Sequence, residues 1–324
     1  MKNIRTDLAL EAREIYNEAE KKDNEISGVS AREENADGYK ITRVKITSEE
    51  GERLLGKKAG TYITIESPSL RHCDPELAEK ITQALKNELS SLVNTGHDAP
   101  VLVAGLGNGR ITSDSLGPMT VSNLVVTRHI FSSLSRETSK NLSSVCAISP
   151  GVLGITGMET FEILGSISEK IKPGLIIAID ALAARRAERV STTIQLTDTG
   201  ICPGSGVGNH RAAINSETLG IPVIAIGVPT VVDAAALAED AAYAMYDSIL
   251  SKLPEGSETY GVLCEMRGEN SESFYENVLK DEPFFVTPKE IDSVSERISK
   301  IIADGINTFL HPGITKEEIE IFTS

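Results

Sequence analysis

Two aspartates, each at the end of an apolar stretch, are the side chains best placed to do chemistry. Asp114 lies in the loop GLGNGRITSDSLGP, which follows the apolar stretch VLVAG, and Asp180 is the last residue of LIIAID. Two carboxyl groups held close together raise the pKa of one partner, because their like charges repel each other. Such a pair supplies both an acid and a base, which together can activate water against an amide bond.

Each aspartate also has an ordinary structural interpretation. Asp114 could cap a helix that begins near Leu116, and Asp180 could pair with Arg185 or Arg186. Acidic side chains in unusual surroundings are frequently structural rather than catalytic. The residue types alone therefore leave both interpretations open.

A second candidate region is the glycine-rich stretch TGICPGSGVGNHR, residues 199–211. Its backbone amides could hold an oxyanion or a peptide, although glycines also serve tight connections that need unusual backbone angles. The substrate-binding or oxyanion candidates in it are Gly204, Ser205, Gly206 and Asn209. The loop GLGNGR lacks the third glycine of a dinucleotide fingerprint. The histidines and cysteines show no metal-ligand spacing, so we expect neither a cofactor nor a metal site.

The aspartates act together only if the fold brings both apolar stretches to one edge. Apolar strands alternate with amphipathic helices from about residue 75 onward, which predicts an α/β domain with a largely parallel sheet covered on both faces. The predicted strands are VLVAG, SSVCAISPG, GLIIAIDAL and IPVIAIGVPT. Since the carboxyl ends of parallel strands share one rim, we expect Asp114 and Asp180 to rise from the same rim.

Several further elements are predicted around this core. Residues 39–46 and 61–67 alternate in polarity and predict a small antiparallel unit, so we divide the chain into 8–74 and 75–324. The charged stretch from 20 to 38 reads as a loop. Residues 190–200 predict an antiparallel strand at a sheet edge, and MTVSNLVVTRHIFSSL predicts one helix. A last helix is expected after Thr287, Pro288 and Glu290.

Composition narrows the class of protein. The chain has 324 residues and 40% apolar side chains, enough for a large core. Its 32 basic and 47 acidic residues give a net charge of −15, which argues against direct binding of nucleic acid. There is no signal peptide and no apolar run long enough to span a membrane, so we expect a cytoplasmic protein.

Several stretches together resemble the germination protease family of spore-forming bacteria. The resemblance implies an endopeptidase that begins the degradation of small acid-soluble spore proteins during germination, inside the forespore and spore core. It implies Asp114 and Asp180 as the proteolytic pair, a homotetramer, and a phosphorylase/hydrolase-like three-layer α/β/α sandwich similar to hydrogenase-maturation endopeptidases. The stretches that carry it include IRTDLALEA, ITSDSLGP, SPGVLGITGMET, AIDALAAR, TTIQLTDTGICPGSGVGN and IPVIAIGVPTVVDA.

The family also implies a zymogen that trims its own N-terminus. The trimming site resembles the substrate site, which has an acidic residue, then an aliphatic or aromatic one, then alanine. Thr6-Asp7-Leu8-Ala9 fits this pattern, so we expect a cut between Asp7 and Leu8 and a propeptide of residues 1–7. The alternative is that Thr6 and Asp7 cap the first helix.

Three other functions stay open on the sequence alone. The chain could be a metal-dependent maturation-type peptidase that uses Asp114 and Asp180 as ligands, and chelator would then abolish cleavage. It could be a non-catalytic binder of spore proteins, whose affinity Asp→Asn changes would leave unaltered. A dinucleotide-binding domain would retain its cofactor on purification, which the glycine pattern gives little reason to expect.

Overall fold

The central feature of the protein is a nine-stranded sheet. The computed structural model describes residues 6–20, 26–93, 99–131, 142–204, 211–266 and 284–315. Within these residues the strands are β1 Val29–Ala36, β2 Tyr39–Ile46, β3 Gly60–Glu66, β4 Val101–Gly105, β5 Val145–Ile148, β6 Leu175–Ala184, β7 Thr193–Thr197, β8 Val223–Asp233 and β9 Phe285–Val286.

The sheet is parallel at one end and antiparallel at the other. Its order is β1-β2-β3-β7-β8-β6-β4-β5, and the short β9 pairs with β8. Strands β5, β4, β6 and β8 run parallel to one another. From β8 outward, β7, β3, β2 and β1 each pair antiparallel with the strand before. The predicted α/β class is confirmed. The prediction of a largely parallel sheet is wrong, because only β5, β4, β6 and β8 run parallel and the rest of the sheet is antiparallel.

Helices follow most of the strands, as the alternating pattern predicts. Asp74 caps α3 by accepting a hydrogen bond from the Leu77 amide, and Pro75 takes the first helical position, where no amide hydrogen is needed. Across the described residues no helix is both long enough and apolar enough to cross a membrane. The helices are α1 Ala9–Glu20, α2 Glu49–Leu55, α3 Pro75–Leu92, α4 Leu116–Ser122, α5 Arg128–Phe131, α6 Leu153–Thr156, α7 Thr160–Ile171, α8 Ser216–Leu219, α9 Ala234–Leu250 and α10 Ile291–Leu310.

The parallel strands are buried on both faces, which explains their unbroken apolar sequences. Successive residues of a strand point to opposite faces. Val103 of β4 and Ile177 of β6 therefore join a cluster with α3 and α10. Their neighbours Leu102 and Ile176 join another, which contains Leu164 of α7. The three-layer sandwich and its likeness to hydrogenase-maturation endopeptidases stay predictions.

The prediction of a loop over residues 20–38 is wrong for its second half. Residues 29–36 form β1, which pairs along its whole length with β2. The hairpin turns at Asp37-Gly38, where Gly38 has φ +86°, a conformation that glycine adopts readily. Almost every side chain of β1 is exposed, so its sequence carries no alternating pattern.

The predicted antiparallel strand near residues 190–200 is present as β7, but its predicted position at an edge is wrong. β7 lies between β3 and β8 and is buried throughout. It connects the antiparallel strands to the parallel ones in one sheet. The division at residue 74 stays a prediction, because strand pairing describes the sheet and does not measure independent folding.

The single helix predicted from residue 119 to 134 is also wrong. α4 ends at Ser122, and the chain runs without helix to α5. Asn307 of α10 explains the break: its side chain accepts from the Val125 amide and donates to the Asn123 carbonyl. The buried side-chain amide of Asn307 thus supplies hydrogen-bond partners that these two backbone groups would otherwise find within a helix.

Candidate active site

Asp114 and Asp180 are brought together by the parallel pairing of β4 with β6. Gly105, the last residue of β4, is paired with Ile179, so Asp180 lies one residue beyond that level. β6 itself continues past Asp180 to Ala184, two residues beyond the end of the predicted strand GLIIAIDAL. The side chain of Asp180 is only 6% exposed, and its Oδ1 accepts a hydrogen bond from the Ala181 amide at 2.9 Å.

Asp114 is positioned by a tight loop that follows β4. It ends a single turn of 3₁₀-helix, Thr112–Asp114, and its Oδ2 accepts a hydrogen bond from the Asn108 amide at 2.7 Å. Gly107 makes the loop possible, because it has φ +101° and a Cβ there would lie 2.2 Å from the Asp114 carbonyl oxygen. The loop is therefore folded around this carboxyl group.

Neither aspartate takes the structural role that the sequence left open. The cap residue of α4 is Ser115, and it makes no side-chain capping bond. Arg185 forms ion pairs with Glu239 and Asp240 of α9, at 2.7 and 2.9 Å. Both carboxyl groups instead line one cavity of about 290 Å³.

The electrostatics of the cavity favour one shared proton. Burial raises the pKa of Asp180 well above its usual range, and the charge of Asp114 raises it further. Burial also raises the pKa of Asp114, while the Asn108 amide and the Arg211 guanidinium oppose that rise. Two coupled carboxyls lose their protons in two steps, and the pKa of each step belongs to the pair rather than to one residue. This arrangement can provide an acid and a base at neutral pH.

The predicted glycine-rich region reaches the cavity at Gly204, which has φ +75°. The other three candidates of that stretch, Ser205, Gly206 and Asn209, lie outside the described residues. Arg211, on the far side of this stretch, lines the cavity too. Among the described residues, no group of three or more His, Cys, Asp or Glu side chains is arranged to hold a metal ion.

The N-terminal segment enters the same cavity. Asp7 lines it, donates its amide hydrogen to the Ala183 carbonyl at 3.2 Å and accepts from the Ala183 amide through Oδ2 at 2.9 Å. Leu8 is completely buried. Asp7, on one side of the predicted cleavage position, therefore lines the same cavity as the two aspartates, and the segment is held by more than a local helix cap.

Thr230 is a residue that sequence reasoning missed. It is buried near the end of β8, lines the cavity, and its Oγ1 donates to the Ser113 carbonyl at 2.6 Å. Thr287 donates in turn to the Thr230 carbonyl at 2.8 Å. The 3₁₀ turn that carries Asp114 is thus tied to β8. The sequence signal that could have identified Thr230 was a single hydroxyl side chain within the apolar run IPVIAIGVPTVV.

Comparisons with known proteins identify the family of the chain. A family model described as germination protease, peptidase family A25, matches residues 9–258. A germination protease of Caldanaerobacter subterraneus is 51% identical, over 98% of this chain and 97% of the relative. Those of Clostridium perfringens and Bacillus subtilis are 45% and 40% identical, and each alignment covers at least 95% of both chains. The chain therefore belongs to the germination protease family.

Proposed function

We propose that the protein is an endopeptidase that begins the breakdown of small acid-soluble spore proteins during germination, in the forespore and spore core. The observation that carries the proposal is the pair Asp114 and Asp180, two coupled carboxyl groups in one cavity. Membership of the germination protease family supplies the reaction class and the biological setting.

In this mechanism the ionised member of the pair takes a proton from water while the protonated member donates to the scissile carbonyl oxygen. The water oxygen forms a bond to the carbonyl carbon, and the carbon–nitrogen bond then breaks as the amine receives a proton. Backbone amides near Gly204 are candidate donors to the developing oxyanion. The shared proton belongs to the pair, so either aspartate can begin as the base.

The protein is proposed to process itself between Asp7 and Leu8, releasing residues 1–7. The position of Asp7 supports this, because the residue on one side of the bond to be cut already lines the cavity that holds the two aspartates. While the N-terminal segment occupies the cavity, other chains are excluded from it. Spore proteins are then cut as extended chains when they are free of DNA.

We also propose that the protein assembles as a homotetramer. α9 supports this, because one side of the helix exposes the large apolar side chains Leu237, Met245 and Ile249, which are 37%, 58% and 40% exposed. Apolar side chains that follow one another at helical spacing are typical of an interaction surface.

A cleavage assay read by mass spectrometry tests the proposed reaction. The full chain is incubated with a small acid-soluble spore protein, alongside Asp114→Asn, Asp180→Asn and a chelator control. Asp292→Asn is the matched control, because Asp292 is exposed in the first turn of α10. We expect an early cut before Ile, Leu or Phe followed by Ala, and self-cleavage before Leu8, both reduced by at least ~10³-fold in the first two variants.

Three outcomes would contradict the proposal. Full activity in either active-site variant would remove the aspartate mechanism. Loss of activity with chelator would favour a metal-dependent peptidase. Binding of the spore protein with no cut by the unmutated chain would favour a non-catalytic binder.

A further inference from the structure

The side chain of Gln195, on β7, forms two hydrogen bonds with the backbone of the N-terminal segment. Its Nε2 donates to the Asp7 carbonyl at 3.2 Å, and its Oε1 accepts from the Ala9 amide at 2.8 Å. A carboxamide is the side chain that can give and receive in this way, since it has both a donor and an acceptor. The two bonds bracket Leu8, whose own side chain is buried. Because both hydrogen bonds are to backbone atoms, they do not depend on which side chains the bound segment carries.

The Asp7 carbonyl is the carbonyl of the bond between Asp7 and Leu8. Gln195 therefore donates to the oxygen that gains negative charge if that bond is attacked. The same segment is fixed on its other side by Ala183, which pairs with the Asp7 backbone and carboxylate. Together these contacts hold the backbone on both sides of the bond between Asp7 and Leu8.

The sheet places Gln195 level with the catalytic pair. Gln195 is opposite Gly227 of β8, and Gly227 is opposite Asp180 of β6. Directly opposite residues project to the same face of a sheet. The carboxamide of Gln195 and the carboxyl group of Asp180 thus stand on one face, two strands apart, and the side chain of Leu182 fills the space beside Gly227. Gln195 is 5% exposed, so its position is fixed by the strands around it.

We infer that Gln195 is the residue that grips the backbone of every chain the protein cuts, donating to the scissile carbonyl and accepting from the amide two residues farther on. The inference rests on the proposed function and adds the substrate-binding contact to it. The N-terminal segment is the first chain held in this way. A substrate takes its place once residues 1–7 have been released and the new N-terminus at Leu8 and Ala9 has withdrawn from Gln195.

The inference is tested by removing the hydrogen bond to Gln195 Oε1 in two ways, once by changing the substrate and once by changing the protein. The substrates are a peptide containing Thr-Asp-Leu-Ala-Leu and the same peptide N-methylated at the alanine, which removes the hydrogen that Oε1 accepts. N-methylation at the second leucine is the peptide control. The protein is the full chain after self-processing, and Gln195→Leu is compared with Gln83→Leu, the same change at an exposed position of α3.

In the unmutated protein we expect methylation at the alanine to lower kcat/KM by about tenfold or more, which is the effect of losing a buried hydrogen bond. Gln83→Leu behaves the same way. In Gln195→Leu both peptides are cut equally slowly, because the bond is already gone. A general loss of structure would slow all peptides and leave the methylation effect unchanged.

Gln195→Glu provides a second readout, also when the leucine variant fails to fold. The carboxylate keeps the acceptor and loses the donor, so we expect methylation to lower kcat/KM as before, while kcat falls more than KM changes. An unchanged methylation effect in Gln195→Leu, or an unaltered kcat in Gln195→Glu, overturns the inference and leaves the aspartate mechanism standing. Failure of the unmutated protein to cut the plain peptide overturns the proposed function, and the inference with it.

Discussion

Burial opposes the ionisation of Asp114 and Asp180, and this should affect the free energy of unfolding as well as catalysis. The pKa of each carboxyl is raised, chiefly by loss of water around it. The native protein therefore holds protons that the unfolded chain releases above about pH 4. The free energy of unfolding falls as pH rises through this range, since the native state binds more protons than the unfolded state.

Asp180→Asn should consequently stabilise the protein at neutral pH. The amide keeps an oxygen for the Ala181 hydrogen bond and carries no charge to bury. We expect the melting temperature to rise at pH 7 by a few degrees, about 2–4 °C for each kcal/mol gained, and the gain to vanish near pH 4. Thermal unfolding followed by circular dichroism from pH 4 to 8 measures it.

The exposed Asp292 supplies the control, since its charge favours the N-terminus of α10 and Asp292→Asn should lower stability slightly. A gain for Asp180→Asn that grows towards acid pH would show that the sign of this argument is wrong.

At the scale of single elements, the loop between β4 and α4 decides where one carboxyl group stands. Gly107 lets the chain fold back on Asp114, and the Asn108 amide fixes the carboxylate. Thr230 ties the far side of the loop to β8. A loop held from both ends in this way has little freedom to adapt to a larger side chain.

Gly107→Ala should therefore impair cleavage far more than Gly109→Ala. A Cβ at 107 would collide with the Asp114 backbone, whereas one at 109 would meet Pro118 at an ordinary 3.5 Å. We expect the first change to cost about 1–3 kcal/mol of stability and to reduce the cleavage rate at least ~10-fold. Equal activity of the two variants in the mass-spectrometric assay would show that the loop adapts.

At the scale of the whole molecule, the parallel core could be predicted and its surroundings could not. Asp114 and Asp180 were predictable because Asp114 follows the apolar strand β4, and Asp180 lies one residue beyond the level at which β4 ends on the parallel strand β6. Gln195 was not, because the position of β7 between β3 and β8 depends on pairing between distant parts of the chain. β1 was missed for a related reason: it is stabilised by its partner strand and buries little of its own surface.

The exposed apolar side of α9 gives a prediction about assembly. Replacing Met245 and Ile249 by Glu should shift the proposed tetramer towards smaller species, because charges would be buried in the contact. Sedimentation velocity measures the change. Ser90→Glu adds the same charge at an exposed position of α3 and should leave the mass unaltered. An unchanged tetramer in the double variant would place the contact elsewhere.

The exposed edge strand β1 affects the tendency of the protein to aggregate through its sheet. β1 ends the strand order, and its residues Arg32, Glu33 and Glu34 are exposed. A bare edge invites a strand from a neighbouring molecule, and charged side chains discourage that addition. The charges on β1 thus disfavour the fusion of sheets from different molecules into fibrils.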